Sequence, residues 1–384
     1  MKVDKQFLGA ISLLVGTAVG AGIFGIPYVA AKAGFLAGIL YIFILGFIIL
    51  LSTLFYGEIT LRTKQKHQLP GYAEKYLGTW GKRVCLVAIV LSIYGALIAY
   101  TIEIGVFLHA LFGNVIGGTP TIYSLIFFGL AAACIYFGLK SITSIEKVMV
   151  VFLFIVIALI FIFGISSVDF NNFSEFNIEY ILLPYGVILF ALGAGTAIPD
   201  ARFLLQGKEK KLLKAIQFGV IIPIVIYALF AFLVVGVTGR ATTESSIVGL
   251  GNSIGGHIMV IGAIFGILAM STSFLALGNV LRETFQYDFK VKKFLSWILV
   301  ITIPLIIFLL NVVSFIEAIG FAGGILGGLE GILIILIFYK AKKLGDRKPE
   351  FEIKLPKWGS YILYCVFAGG IAYVIYEGLN KWVF

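Results

Sequence analysis

Charge is what this sequence has least of. Lys, Arg, Asp and Glu make up 12% of 384 residues, about half the roughly 25% of a soluble globular protein. Apolar residues reach 60% and aromatics 15%, with a mean hydropathy of +1.07. A chain this poor in charge cannot coat a soluble domain, and it reads as an all-α polytopic membrane protein. Cysteine and histidine are scarce too, three of each. Cys85, Cys134 and Cys365 lie apart, within or beside apolar spans, with neither metal spacing nor a disulfide framework. His67, His109 and His257 are scattered, with no nucleophile constellation and no P-loop. An enzyme and a nucleotide-driven pump are therefore both disfavoured. The net charge of +10 does not point to nucleic acid, because the basic residues fall in short loops between apolar spans.

Counting stretches of about 20 apolar residues, the length that spans a bilayer, gives eleven segments. They are 7–32, 35–61, 83–112, 120–139, 146–166, 180–205, 212–237, 257–284, 294–310, 313–339 and 359–380. The opening MKVDKQFLGAISLL has the make-up of a signal peptide. Its apolar run continues past Tyr28 and ten more segments follow, so it reads as a retained first helix. No soluble domain fits in the loops, and residues 1–384 read as one transmembrane domain. The loops alternate between basic and nearly free of Lys and Arg. Of the 29 basic residues, all but Lys32, Arg240 and Lys381 belong to one set, from Lys2 and Lys5 through Lys140, Lys147 and the cluster Lys340–Lys357. The positive-inside rule then puts the N-terminus in the cytoplasm and, with eleven spans of a cell membrane, the C-terminus outside. The stretch His67–Gly78 predicts a short amphipathic helix after Pro70. The polar stretch Thr238–Gly256 predicts an outer cap-like loop. For both, a hydrated loop is the plainer alternative.

Two of the segments carry a defect where a helix is most wanted. GAGIFGIP (Gly20–Pro27) interrupts the first, and GAGTAIP (Gly193–Pro199) interrupts the sixth. Helix through such a run costs about 1 kcal/mol per Gly and about 3 for an interior Pro, and in hydrocarbon the freed backbone groups find no water. Glycines in membrane helices also serve close packing, so one run alone decides little. Two matched breaks at membrane depth are the pattern of a solute site. The half-helix beginning near Gly22 presents N–H groups to a carboxylate. The half-helices ending near Val19 and Phe190–Leu192 present carbonyls to an ammonium group.

The quoted motifs resemble a known group. GTAVGAGIFGIPYVAAKAGF, YGEITLRTKQKHQLPGYAEKYLG and ALGAGTAIPDARFLL are similar to the amino acid/auxin permease family, within the amino acid–polyamine–organocation superfamily. MSTSFLALGNVLRETF is similar to the bacterial aromatic amino acid permeases of that group. The resemblance covers nearly the whole chain. It implies a LeuT-type fold of five-plus-five inverted repeats (7–166 and 180–339), broken helices 1 and 6, and a peripheral helix at 359–380. It implies amino acid transport by alternating access, driven by sodium or protons, with no other cofactor and no obligatory protein partner.

Residue by residue, the resemblance puts Thr17, Ala18, Gly20, Ala21, Gly22, Ile23 and Phe24 of helix 1 at the substrate, with Tyr100 of helix 3. From helix 6 it adds Phe190, Ala191, Leu192, Gly193, Ala194 and Gly195. It makes Thr272 and Ser273 sodium ligands, with the carbonyls of Gly16, Val19 and Ala269 completing five oxygens, as a hard cation requires. The alternative for these hydroxyls is a bond back to their own helix. Proton-coupled relatives place a lysine where this chain has Leu153, which counts against that mechanism but not against a carboxylate-based one. Intramembrane carboxylates are costly, which singles out Glu103, Glu317 and Glu330. Glu103 is either a protonated carboxylate or a structural hydrogen-bonder. Glu317 either forms an outer gate with Lys32 or is a carboxylate favoured at a helix start. Asp200 is either a first-turn acid or an inner gate with Arg202. Glu58 and Arg62, four apart, read as a surface pair. The expectation is an amino acid symporter, sodium-coupled before proton-coupled. A non-transporting amino acid receptor on the same scaffold is the rival.

Overall fold

A computed structural model describes residues 4–138, 143–287 and 289–383, and only the backbone of 143–148 and 381–383. Lys2 and Lys140 of the basic set lie outside the described residues, as do the side chains of Glu146, Lys147 and Lys381. The described chain is all-helical. Its α-helices run, in order, α1 (Lys5–Ala18), α2 (Gly22–Ala33), α3 (Phe35–Arg62), α4 (Leu69–Ile116), α5 (Pro120–Phe137), α6 (Thr143–Gly164), α7 (Pro184–Ala191) and α8 (Ile198–Leu204). They continue with α9 (Leu212–Thr238), α10 (Ser246–Ile254), α11 (Gly256–Tyr287), α12 (Lys293–Leu309), α13 (Phe315–Phe321), α14 (Gly328–Leu344) and α15 (Lys357–Val383).

Among the described residues nine helical stretches are long and apolar enough to cross a membrane, and the bent pair α1–α2 makes ten. The apolar helix α12, with 17 residues, is shorter than the roughly 20 a crossing needs. Several segments differ from their sequence reading in detail. The predicted short helix after Pro70 is present, but it runs on into α4 through Gly78, whose φ of +78° breaks the helical path. The outer stretch is not all loop: α10 occupies its second half. The tenth segment is α13 and α14 joined by a π-helical turn, Ala322–Gly327, a feature that gathers at functional sites.

The breaks position everything else. Helix α1 packs on α8 and α2 on α7, so the two interrupted segments lie side by side. Both halves of the first also pack on α9, and α3 packs on α7, α8 and α9. Around this group, α4 packs with α5 and α11, and α11 with α6 and α12. The turn from α2 to α3 is a single residue, Gly34, at φ +104°, where a Cβ would come within 2.5 Å of the Glu175 carbonyl oxygen. Only glycine fits there.

Ionic contacts cluster at one end of the bundle, where the basic loops converge. Asp4 caps α1 by accepting from the N–H groups of Gln6 and Phe7, and it pairs with Lys211 (2.5 Å) and Lys208 (3.2 Å). Lys211 above all holds the Asp4 carboxyl well below the usual carboxylate range. Arg62 donates to Glu58 at 2.8 Å and to Glu352 at 3.0 Å, and the Ile353 N–H donates to Glu58 at 2.5 Å. This corrects the surface-pair reading of Glu58 and Arg62. Glu58 is fully buried, because the segment after α14 folds over the end of α3 and displaces water from it.

Candidate functional site

Helix α1 stops at Ala18 and α2 starts at Gly22, bent by 53°. Val19 ends α1 in an extended conformation (φ −86°, ψ 93°). Among the described residues the N–H groups of Ala21, Gly22 and Ile23 have no backbone partner, as the first turn of any helix leaves them. The second break is built alike. Helix α7 stops at Ala191, and a 3₁₀ turn at Gly195–Ala197 leads into α8. The N–H groups of Gly195 and Thr196 are without a backbone partner there. A carboxylate has donors at both breaks, and the carbonyl ends of α1 and α7 supply acceptors.

The breaks also touch. A Cβ on Gly22 would lie 2.5 Å from the Ala191 Cβ, so Gly22 is at once a helix start and the point of closest approach between segments. Gly20 faces the Tyr100 hydroxyl, 3.7 Å from where a Cβ would sit. Tyr100 itself lies against Ser273 and meets the Phe190 ring edge-on at 6.5 Å. Gly193 and Thr196 are exposed at the second break, whereas Ala18, Val19, Ala21, Ile23, Leu192 and Ala194 are buried around it. Phe24 points into a buried aromatic group with Phe107 and Phe265. Its carbonyl accepts from the Ser246 hydroxyl of α10 at 2.5 Å. The Thr17 hydroxyl is turned back onto the Leu13 carbonyl at 2.8 Å.

The predicted cation ligands are only partly free. Thr272 donates to the carbonyl of Ala269 at 2.9 Å, so two of the five proposed oxygens bond each other. Gly16 lies in the last turn of α1, and the Val19 carbonyl has no backbone donor among the described residues. No cluster of three His, Cys, Asp or Glu suited to a metal exists among the described residues.

The carboxylates divide. Glu103 is fully buried and accepts from Ser245 at 2.7 Å through Oε2, while its Oε1 has no hydrogen-bond partner among the described residues. Glu330 points at the second break, its Oε1 2.7 Å from the position of a Gly195 Cβ. Glu317 forms a capping box with Ser314 at the start of α13. Lys32 lies over the rings of Tyr28 and Tyr180, at 5.5 and 5.9 Å. Asp200 sits in the first turn of α8. Its ion-pair partner is Lys66 at 2.6 Å, not Arg202, which instead donates to the carbonyls of Thr60 and Thr63. An Asp200–Arg202 gate is thereby replaced by a tie between α8 and the end of α3. The residue two positions along a helix lies on another face.

Two residues at the breaks were missed. Thr196 is inside the GAGTAIP motif and could have been found there. Tyr227, on α9, donates toward the carbonyls of Ala18 and Ala191, at 2.8 Å each. Nothing in its local sequence marks it.

The profile of the tryptophan/tyrosine permease family matches residues 3–377. The chain belongs to that family. The likeness to aromatic amino acid permeases read from helix 8 is thus borne out. Among curated relatives, the chain is 24% identical over 366 residues to tyrosine-specific transport system 1 of Haemophilus influenzae, covering 90% of each. It is 26% identical over 361 residues to the low affinity tryptophan permease of Escherichia coli K12, covering 84% of each. It is 24% identical over 334 residues to glutamine transporter 2 of Aliivibrio fischeri, covering 84% of this chain and 86% of that one. Among solved structures, MhsT in complex with L-phenylalanine superposes with a TM-score of 0.55 at 19% identity, covering 97% of this chain and 98% of that one. That likeness shows the fold. The chain is a multi-pass membrane permease of an amino acid transporter family, not an enzyme.

Proposed function

We propose that the protein is a secondary amino acid symporter working by alternating access, with sodium as the coupling ion. The observation that carries this is the contact of two broken helices at Gly22 and Ala191, with orphan N–H groups and carbonyl ends on both sides. Such a pair matches a zwitterion through its backbone groups: N–H groups and positive helix ends for the carboxylate, carbonyls for the ammonium. Tyrosine and tryptophan, for which relatives are named, are the first substrates to try, and glutamine is the third. The edge-on Tyr100 and Phe190 rings beside the breaks suit an aromatic side chain.

The larger architecture belongs to the same proposal: eleven spans with α12 counted, and inverted repeats over 7–166 and 180–339. The neighbours support it. Exchanging first-repeat helices for their second-repeat counterparts maps the packing of α6 on α1 onto that of α13 on α7. It likewise maps α6 on α11 onto α14 on α4. The N-terminus is cytoplasmic, the C-terminus outside, and the cell membrane is the site of action. The amino acid–polyamine–organocation superfamily is the wider grouping, and no protein partner is required.

Proton coupling is the second reading, favoured by the buried Glu103 with its unpaired oxygen and by Thr272 being turned onto Ala269. One panel tests the substrate: a thermal-shift screen of the twenty amino acids, each with and without sodium. A ligand that binds only the folded state raises its stability. The coupling ion is then read from proteoliposome uptake of the best ligand. Uptake that needs a sodium gradient is the expected result, and uptake indifferent to sodium but abolished without a pH gradient would reject the sodium assignment. Stabilisation by none of the twenty would reject the function.

A further inference from the structure

Three oxygens meet where the two breaks face α9. The Tyr227 hydroxyl stands 2.8 Å from the carbonyl oxygen of Ala18, the last residue of α1. It stands 2.8 Å from that of Ala191, the last residue of α7. A phenol has one hydrogen, so it can satisfy one of these carbonyls at a time. The Gly20 N–H, at 3.1 Å from the Ala18 oxygen, eases that side, but Ala191 has no other donor among the described residues. Tyr227 is fully buried, so bulk water does not make up the difference. An enclosed cluster of three acceptors with one mobile proton is short of donors, and a short-handed acceptor set is what an ammonium group, with three N–H bonds and a positive charge, completes.

Resting on the amino acid reading above, we propose that Tyr227 is a ligand for the substrate's ammonium group. Its oxygen and the Ala18 and Ala191 carbonyls form the acceptor set. The ammonium donates to that set while the phenol proton turns to the carbonyl left over. Without substrate, the same hydroxyl links the ends of α1 and α7 and holds the two carbonyls in place. A tyrosine on a third helix thus connects recognition of the amine to the relative position of the two half-helices.

The test is Tyr227→Phe, which keeps the ring and removes the hydroxyl. L-tyrosine and L-tryptophan serve as ligands, with 3-(4-hydroxyphenyl)propanoate and indole-3-propanoate as counterparts lacking the amine. Thermal midpoints of purified protein and competition for uptake give the readings. The variant should melt within a few degrees of the parent when ligand-free, yet bind the amino acids at least tenfold more weakly. Preference for each amino acid over its deaminated counterpart should fall by the same factor. Equal weakening of both members of a pair, or unchanged amino acid binding, overturns the proposal. So does a weakening that vanishes at saturating sodium, since the hydroxyl would then serve the ion. Tyr227→Met is made in parallel. If neither variant folds, the hydroxyl is a structural bond and the ligand role is rejected. A parent protein stabilised by no amino acid removes the transporter reading itself, an outcome visible before any variant is compared.

Discussion

At the scale of single residues, Gly22 carries two demands at once. It starts a half-helix with free N–H groups, and it lets that start approach Ala191 to a distance at which any side chain collides. Loss of transport in a bulky Gly22 variant would therefore not separate binding from packing, but a compensated pair does. Gly22→Ala should lower the thermal midpoint, with an overpacking cost of about 1–3 kcal/mol. Ala191→Gly in the same chain should return only part of it, because it removes the Ala191 Cβ at 2.5 Å but leaves the Ala191 Cα at 2.6 Å from the new methyl. A double-mutant cycle on the melting temperature checks this, and strict additivity of the two changes would disprove the contact. The glycine was legible because a break in a membrane helix is conspicuous against its neighbours. Glu58 was not, because its burial depends on a segment almost 300 positions away. Nor was Tyr227, one of 18 tyrosines, whose role depends on carbonyls contributed by two other segments.

At the scale of elements, the short helix that opens α4 shows how the membrane edge is tied down. It begins at Leu69 with Pro70 in its first turn. Its Tyr76 hydroxyl shares a 2.7 Å hydrogen bond with Thr63 at the end of α3. His67, just before it, meets the Tyr72 ring edge-on at 5.4 Å. Burial first, and the Lys75 charge second, push the His67 imidazole below its usual 6.5. The folded state thus favours the neutral ring. Its contribution to stability is complete above pH 6.5 and declines as pH falls through 6.5 towards the depressed value. Asp4 and Asp346, lowered by Lys211 and Lys75, lose their contributions only below their ordinary 3.8, outside that window. Melting measured between pH 7.5 and 5.5 should therefore fall in the parent and fall less in His67→Gln. An identical slope in both would show that the imidazole is not responsible. The hydropathy pattern located this helix and both broken segments. It did not reveal α10 or the π-helical turn. Helix α10 is short, and its place is held by the Ser245 and Ser246 bonds to Glu103 and Phe24. The π turn carries glycines at close approaches to two other helices, Gly323 on Gly186 and Phe190 of α7 and Gly324 on Val374 of α15.

At the scale of the whole molecule, the charge pattern and the packing make one claim about direction. Asp4, Lys66, Lys75, Asp200, Lys208 and Asp346 pair with one another at a single end. Arg240 pairs instead with Glu175, beside Lys32 in a hollow lined also by Tyr180 and Thr242. Positive residues are retained on the cytoplasmic side during insertion, so the orientation proposed above puts the first end in the cytoplasm and the Arg240 end outside. Single cysteines test this in a background where Cys85, Cys134 and Cys365 are replaced by alanine. Arg240→Cys, on a side chain 83% exposed, should react in intact cells with a maleimide that cannot cross the membrane. Lys348→Cys should react only after the cells are opened. The reverse pattern would invert the molecule, and reaction of both in intact cells would mean that the alternation of loops miscounts the spans. The count of eleven is at stake in the same experiment, because an added tag after Phe384 must label from outside for an odd number and from inside for an even one. With α12 three residues short of the usual span, inside labelling of that tag would identify α12 as the helix that does not cross.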